Sequence, residues 1–240
     1  CAILDNGSVN CWGTYFPHAG PNSSVSSSNS PIFIDLGIGR TAVAIASGTY
    51  HMCVILDDGS LWCFGYNSYG QIGNNSQQYY HSDLVPVYLG SGRTAASLSL
   101  TSYSTCVILD DNSLKCWGQN TNGQLGDGTT TNTCTDENSN FTCVNDASTA
   151  STIDLGTGRY AIAISGGNDH TCALLDDSSL KCWGSNSAGR LGDGTSTQRL
   201  TPTAVNLSAG TVVTKVSAGG AHTCAIISDG SLLCWGSEES

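Results

Sequence analysis

Residues 170–184 read HTCALLDDSSLKCWG, two apolar arms around a polar turn with one cysteine on each arm. Asp, Ser, Asn and Gly are the residues a tight turn needs, because they tolerate positive φ or bond their own backbone. The stretch therefore predicts a β-hairpin, and pairing about its turn sets Cys172 at or next to the position facing Cys182. Facing Cβ atoms on adjacent strands lie about 4.5–5.5 Å apart, within or just above the ~3.5–4.5 Å that a disulfide requires. Each such hairpin is expected to carry a disulfide across its open end.

The pattern recurs at 1–13, 51–65, 104–118 and 222–236, and successive first cysteines are separated by 52, 53, 66 and 52 residues. That is one period with a single insertion, the mark of a repeat architecture. Ten of the twelve cysteines form the spaced pairs Cys1/Cys11, Cys53/Cys63, Cys106/Cys116, Cys172/Cys182 and Cys224/Cys234. Cys134 and Cys143 both fall in the insertion and are expected to close it on itself. An even, locally paired set belongs to an oxidising compartment, so the chain is expected to be secreted or on a cell surface. Structural zinc sites favour cysteines two to four residues apart, which a ten-residue step does not match.

Between hairpins a second block repeats as IDLGIGRTAVAIASG (34–48), YLGSGRTAASLSL (88–100) and IDLGTGRYAIAISGG (153–167), while VNLSAGTVVTKVSAGG (205–220) loses the Gly-Arg step. Each block reads as a short strand, a glycine turn and a strand of small and apolar residues. GQIGNNS (70–76), GQLGDGT (123–129) and GRLGDGT (189–195) follow the hairpins as connectors. Neither a long 3.6-residue periodicity nor an apolar run of membrane-spanning length occurs. The fold class is all-β, and four short strands per unit of about 50 residues is the arithmetic of a β-propeller blade.

The order of small residue and glycine, His-Thr-Cys, apolar run, Asp-Gly turn, Trp-Gly-x-Asn and Gly-Gln-Leu-Gly resembles the repeat of the regulator of chromosome condensation family. The most specific portion is Trp117 to Gly126, and Trp183 to Gly192 with Arg190 in place of Gln. The resemblance covers nearly the whole chain and implies a propeller, commonly seven-bladed in that family. The cysteine pair departs from the nuclear founding member and is similar to what a secreted branch would carry. Residues 1–240 are read as one propeller domain or part of one, with repeats near 1–13 (partial), 31–65, 85–118, 151–184 and 202–236 and a disulfide-containing insertion at 129–150. A seven-bladed ring would need ~100–150 further residues, so the 240 residues are expected to belong to a longer polypeptide. If they form the whole ordered unit, open strand edges would favour head-to-tail assembly.

Charge bears on partners. Eight Lys plus Arg stand against nineteen Asp plus Glu, a net charge of −11 that opposes the phosphate contacts nucleic acid requires. The family's founding activity, nucleotide exchange with chromatin docking, is therefore not expected here. His51, His170 and His222 precede the first cysteine by two residues and read as structural hydrogen-bonding groups rather than a metal ring. Asp127-Gly128-Thr129 and Asp193-Gly194-Thr195 place one carboxylate per loop, which suits a turn better than calcium. Trp12, Phe64, Trp117, Trp183 and Trp235 read as packing residues between blades.

The less repetitive aromatics Tyr15, Phe16, Tyr66, Tyr69, Tyr79 and Tyr80 fall in connectors, where binding residues concentrate, and form the candidate contact surface. Sequons at Asn22, Asn74, Asn140 and Asn206 are glycosylation candidates, while a fifth at Asn6 sits in a hairpin turn. No nucleophile elbow, phosphate loop or metal motif is present, and no cofactor is expected. The functional expectation is a non-catalytic extracellular scaffold, structural or protein-binding, as in a surface layer or filament. The alternative is a soluble protein inhibitor or carbohydrate binder that uses its loop face.

Overall fold

The computed structural model describes residues 1–14, 27–137, 140–143 and 147–237. The strands are β1 (Ala2–Ile3), β2 (Val9–Thr14), β3 (Ser27–Ile34), β4 (Ala42–Ser47), β5 (His51–Leu56), β6 (Leu61–Tyr66), β7 (Tyr80–Val87), β8 (Ala95–Leu100), β9 (Ser104–Leu109) and β10 (Leu114–Gly118). They continue as β11 (Cys134–Glu137), β12 (Asn140–Cys143), β13 (Ala161–Gly166), β14 (His170–Leu175), β15 (Leu180–Gly184), β16 (Arg199–Ala204), β17 (Val213–Ala218), β18 (His222–Ile227) and β19 (Leu232–Gly236). All pairing is antiparallel between sequence neighbours, giving five consecutive blades: β1–β3, β4–β7, β8–β10, β13–β16 and β17–β19. The short hairpin β11–β12 is the insertion. The architecture is an all-β propeller arc in which β4, β8, β13 and β17 are innermost and lie side by side.

The sheets are out of phase with the repeats read from the sequence. The strand expected at the start of each unit closes the preceding sheet instead: β3 pairs with β2, β7 with β6, and β16 with β15. The block beginning at Ile34 thus starts on the last residue of such an outer strand, and the block beginning at Ile153 follows an isolated bridge at Thr152. Consequently two sheets, β4–β7 and β13–β16, have four strands, and the other three blades show three among the described residues. In the third blade the outer edge of β10 is met by a single bridge, Lys115 to Thr152. The physical reason is local: the connector after each hairpin returns the chain directly along the hairpin's second arm, so sequence neighbours pair first.

Blades on both sides cover β5, β9 and β14, which are buried at every position, whereas β18 is only partly buried. In β5, Met52, Val54 and Leu56 pack toward the first blade, while Cys53 and Ile55 join Leu61, Val107, Leu109 and Trp117 between the second and third. This is strand alternation with apolar layers on both sides. Cys53, Cys63, Cys172 and Cys182 are fully buried in these cores. Cys1–Cys11, Cys53–Cys63, Cys106–Cys116, Cys172–Cys182 and Cys224–Cys234 are disulfide-bonded, with Cα atoms 4.0–4.1 Å apart. Four of these pairs face one another in the hairpin register two residues inside the open end, as with Cys53 and Cys63. Cys134 is disulfide-bonded and stands opposite Cys143 in the register of β11–β12. The Cys143 side chain lies outside the described residues.

Candidate functional site

Two ends of the blades carry different chemistry. At the end holding the hairpin turns, Arg40 pairs with Asp57 and Asp58, Arg93 with Asp110 and Asp111, and Arg159 with Asp176 and Asp177. The repeated Gly-Arg step thus clamps the aspartate pair of its own hairpin turn. In the last blade Thr211 replaces the arginine and Ser228 the first aspartate, so the clamp is lost while the second aspartate, Asp229, still accepts the Ser231 N–H of its turn. Asp58 and Asp177 hydrogen-bond their turns and sit below the usual carboxylate range, Asp58 chiefly through Arg40 and Asp177 chiefly through Ser179. These carboxylates hold turns, and they are occupied.

The connectors are equally occupied. Asn120 donates to Asp127 and Thr129 and accepts from the Leu125 N–H, and Asn186 repeats this with Asp193, Thr195 and Leu191. Asp127 and Asp193 each accept the N–H and hydroxyl of the threonine two residues on, so the Asp-Gly-Thr motif is a turn. Asp193 is almost fully buried and bonded to Arg199; these bonds bring its carboxyl down to about 2 against the opposing desolvation.

Blades are joined by a repeated relay. Thr105 and Trp117 of the third blade both donate to the Gln71 carbonyl of the second, at 2.7 and 3.1 Å. Thr171 and Trp183 do the same to Gln124, and Thr223 and Trp235 to Arg190. His51 Nε2 lies 2.9 Å from the Thr105 hydroxyl and His170 Nε2 2.8 Å from that of Thr223. Because each hydroxyl donates its hydrogen to a carbonyl, the imidazole must donate from Nε2. Burial keeps both rings neutral, His51 pushed down to about 3 and His170 to about 4. These histidines are structural, and no group of three His, Cys, Asp or Glu that could hold a metal occurs among the described residues.

The other end of the blades presents tyrosine. Tyr66, Tyr50, Tyr103 and Tyr69 form a continuous row with ring centroids 6.1, 5.4 and 5.4 Å apart. Tyr50 and Tyr103 occupy the turns before β5 and β9, Tyr66 ends β6, and Tyr69 lies in the following connector. Tyr66 is 42% exposed, as are Tyr79 and Tyr80, and Tyr80 faces Tyr66 across β6–β7. Burial raises Tyr103 above the usual phenol range, with Tyr50 adding to the effect. Beside the row, toward the axis, the turns form a shallow depression lined by Ser47, Thr49, Thr101, Ser102 and Asn168, with no ionisable side chain. Thr49 N–H donates to Ser102 O and Ser102 N–H to Asn168 O, so the turns are bonded from blade to blade.

Of the aromatics nominated from sequence, Tyr66 and Tyr69 therefore meet in one cluster and Tyr79 and Tyr80 flank it. Tyr66 and Tyr80 are strand residues rather than connector residues. Tyr15 and Phe16 lie outside the described residues. Tyr50 and Tyr103 escaped the sequence reading, although the repeat held a signal: the equivalent positions are Asp169 and Ala221. Among the glycosylation candidates, Asn206 is exposed, whereas Asn74 is half-buried, its Oδ1 accepting from Ser76 N–H and its amide beside His81. Asn22 and the Asn140 side chain lie outside the described residues.

Comparison with known proteins agrees with the architecture. Two models described as the regulator of chromosome condensation (RCC1) repeat match, one at residues 42–71, 95–124, 161–190 and 213–240, the other at 58–108 and 180–226. The first model's matches begin at the innermost strands, in phase with the sheets. The chain is similar to the ultraviolet-B receptor UVR8 of Arabidopsis thaliana, 26% identical over 80% of this chain and 40% of the receptor. It also resembles the human E3 ubiquitin-protein ligase HERC2, 23% identical over 99% of this chain but 5% of the ligase. Among solved structures, Prp20p of Saccharomyces cerevisiae superposes with a TM-score of 0.77 at 20% identity, covering 98% of this chain and 55% of that one. The Physcomitrella patens receptor kinase CR4 ectodomain gives 0.50 at 22% identity, covering 92% and 46%. This chain thus spans about half or less of these relatives, and it belongs to the regulator of chromosome condensation (RCC1) repeat family.

Proposed function

We propose that the chain is a non-catalytic, extracellular propeller that binds a protein partner through its tyrosine face. The observation that carries this reading is the row Tyr66–Tyr50–Tyr103–Tyr69, confined to one blade boundary and absent from equivalent positions elsewhere. Tyrosine combines large apolar area with a polar tip and is enriched at protein interfaces. Relatives support a binding role: UVR8 is a receptor, and Prp20p has been characterised by its binding to Gsp1p and histones. An extracellular setting is supported by the disulfides, which persist in oxidising compartments. No helix among the described residues is long and apolar enough to cross a membrane.

Cations are scarce for any other charged partner. Arg40, Arg93, Arg159 and Arg199 are in ion pairs, and Lys115, Lys181 and Arg190 donate to backbone carbonyls. The test is photocrosslinking on intact source cells, with benzoylphenylalanine replacing Tyr66 in one variant and Tyr160, at the opposite end of the blades, in another. A discrete protein adduct from position 66 alone is expected; adducts from both positions or from neither would refute the reading. Labelling of the chain by a membrane-impermeant reagent on the same cells tests the extracellular setting.

A further inference from the structure

The repeat supplies an internal control for every side chain at the tyrosine boundary, because equivalent positions in other blades show what the fold alone requires. Tyr50 and Tyr103 correspond to Asp169 and Ala221, Tyr66 to Gln119 and Ser185, and Tyr69 to Asn122 and Ala188. The sheets close equally well with small or polar residues there, so the four tyrosines are not demanded by packing.

One of these replacements leaves a defect. Gln124, fully buried, accepts the Asn122 N–H with Oε1 and donates from Nε2 to Gln119 Oε1 at 3.3 Å. Gln71, its equivalent one blade earlier and also fully buried, accepts the Tyr69 N–H in the same way. Its acceptor position is occupied by Tyr66, and Gln71 Nε2 has no hydrogen-bond partner. Since Oε1 is fixed by Tyr69, the amide N–H2 is directed to the side where Gln119 would stand. A buried donor without an acceptor is costly and rare, and this one lies where exposed Tyr66 and half-buried Tyr69 of the row replace the Gln119 and Asn122 of the next blade.

Resting on the protein-binding reading above, we infer that this boundary takes an extended, proline-containing segment of the partner in the polyproline II conformation, carrying basic residues beside the prolines. Such a segment has no internal hydrogen bonds, so its carbonyls are free to accept from the phenols, and its pyrrolidine rings suit an aromatic surface. Centroid steps of 6.1, 5.4 and 5.4 Å each match about two residues at the ~3.1 Å rise of this helix. The rings pack on one another, Tyr50 tilted 30° to Tyr103 and Tyr69 edge-on to it, so the row is ridged rather than a flat platform for stacking sugars. Charge selects the flanks: Asp83 acts on Tyr80, Asp169 occupies the equivalent turn one blade on, and the net charge is −11. An acidic segment would be repelled.

The experiment uses the whole chain and a fluorescent peptide array of proline-rich segments with Lys and Arg at varied flanking positions. Matched peptides with Glu replacing Lys and Arg, and neutral hexasaccharides, serve as controls. Tyr66→Gln rebuilds the amide pair seen between Gln119 and Gln124, so it is expected to fold as well as the parent. Saturable binding of basic proline-rich members is expected, falling about fivefold or more in Tyr66→Gln and in Tyr103→Ser, the size of an interface hot residue. Binding unchanged in both variants, binding of acidic members or hexasaccharides only, or no binding at all would overturn the inference. If photocrosslinking at position 66 captures a protein through a proline-free segment, the binding face stands and this inference alone falls.

Discussion

The indole Nε1–H of Trp183 donates to the Gln124 carbonyl, 3.0 Å away, across the boundary between two blades. The ring reaches that carbonyl by lying over Gly126, where a Cβ would come within 2.6 Å of Nε1 and where φ is +82°. Trp-Gly in one repeat and Gly-Gln-Leu-Gly in the previous one are therefore a single interaction read at two places in the chain. Gly126→Ala combines an unfavourable backbone conformation with a forced shift of a buried ring, and is expected to destabilise by about 2–4 kcal/mol. Urea denaturation followed by tryptophan fluorescence measures it. A loss below about 0.5 kcal/mol, the range of inert surface changes, would show that the boundary accommodates a methyl group.

Stability should decline in mild acid. His51 and His170 have folded-state values near 3 and 4, while the unfolded chain binds their protons below about 6.5. The unfolded state therefore gains protons first as pH falls, and stability is lost between about 6.5 and the folded values at up to ~1.4 kcal/mol per histidine per pH unit. For His170 the nearby Arg190 and His222 act in the same direction as burial. His51→Gln keeps a donor for Thr105 and removes the titration, so its unfolding free energy between pH 7 and 4.5 should be flatter by about one proton. Parallel curves would rule out His51 as a titrating group.

Below about pH 4 a second loss should set in. Asp193, held near 2, resists a proton that the unfolded chain accepts near 3.8, so its contribution disappears as pH falls through that interval. Asp193→Asn, which also ends the ion pair with Arg199, is expected to make this phase shallower by about one proton, the lowered Asp58 and Asp177 supplying part of the remainder, and to leave the histidine phase intact. A variant whose acid profile matches the parent's below pH 4 contradicts the assignment.

Reduction should be ordered by burial. Cys234 is exposed and its partner Cys224 half-buried, Cys1 is exposed but its partner Cys11 is fully buried, and Cys53, Cys63, Cys172 and Cys182 are inaccessible. Mass spectrometry after graded reduction and alkylation is expected to find Cys224–Cys234 opened first and the two fully buried pairs last, after unfolding. Replacing both Cys172 and Cys182 with alanine should reduce stability by about 2–4 kcal/mol. Simultaneous loss of all pairs in the native protein would show that burial does not govern access.

The arginine clamps should matter little one at a time. Arg159 and Asp177 are about 40% exposed, so Arg159→Ala is expected to change stability by less than ~1 kcal/mol. A larger loss in thermal denaturation would indicate a role beyond the two ion pairs.

Much of this protein was legible in the chain itself. Hairpin arms, Asp-rich turns and a ten-residue cysteine step are short-range features, and they specify β-structure and facing cysteines without any tertiary information. Tyr66 and Tyr69, three residues apart and outside the repeat pattern, could also be nominated. Tertiary structure decided what joins distant segments. Whether Ile34 ends one sheet or opens the next depends on which edge the returning strand meets, and both edges suit its composition. Arg159 finds Asp176 from 17 positions away, and Tyr50 reaches Tyr103 only because successive blades set equivalent turns side by side. Local patterning thus determined the hairpins and their repetition, while the packing of one blade on the next decided the sheet boundaries, the clamps and the tyrosine face.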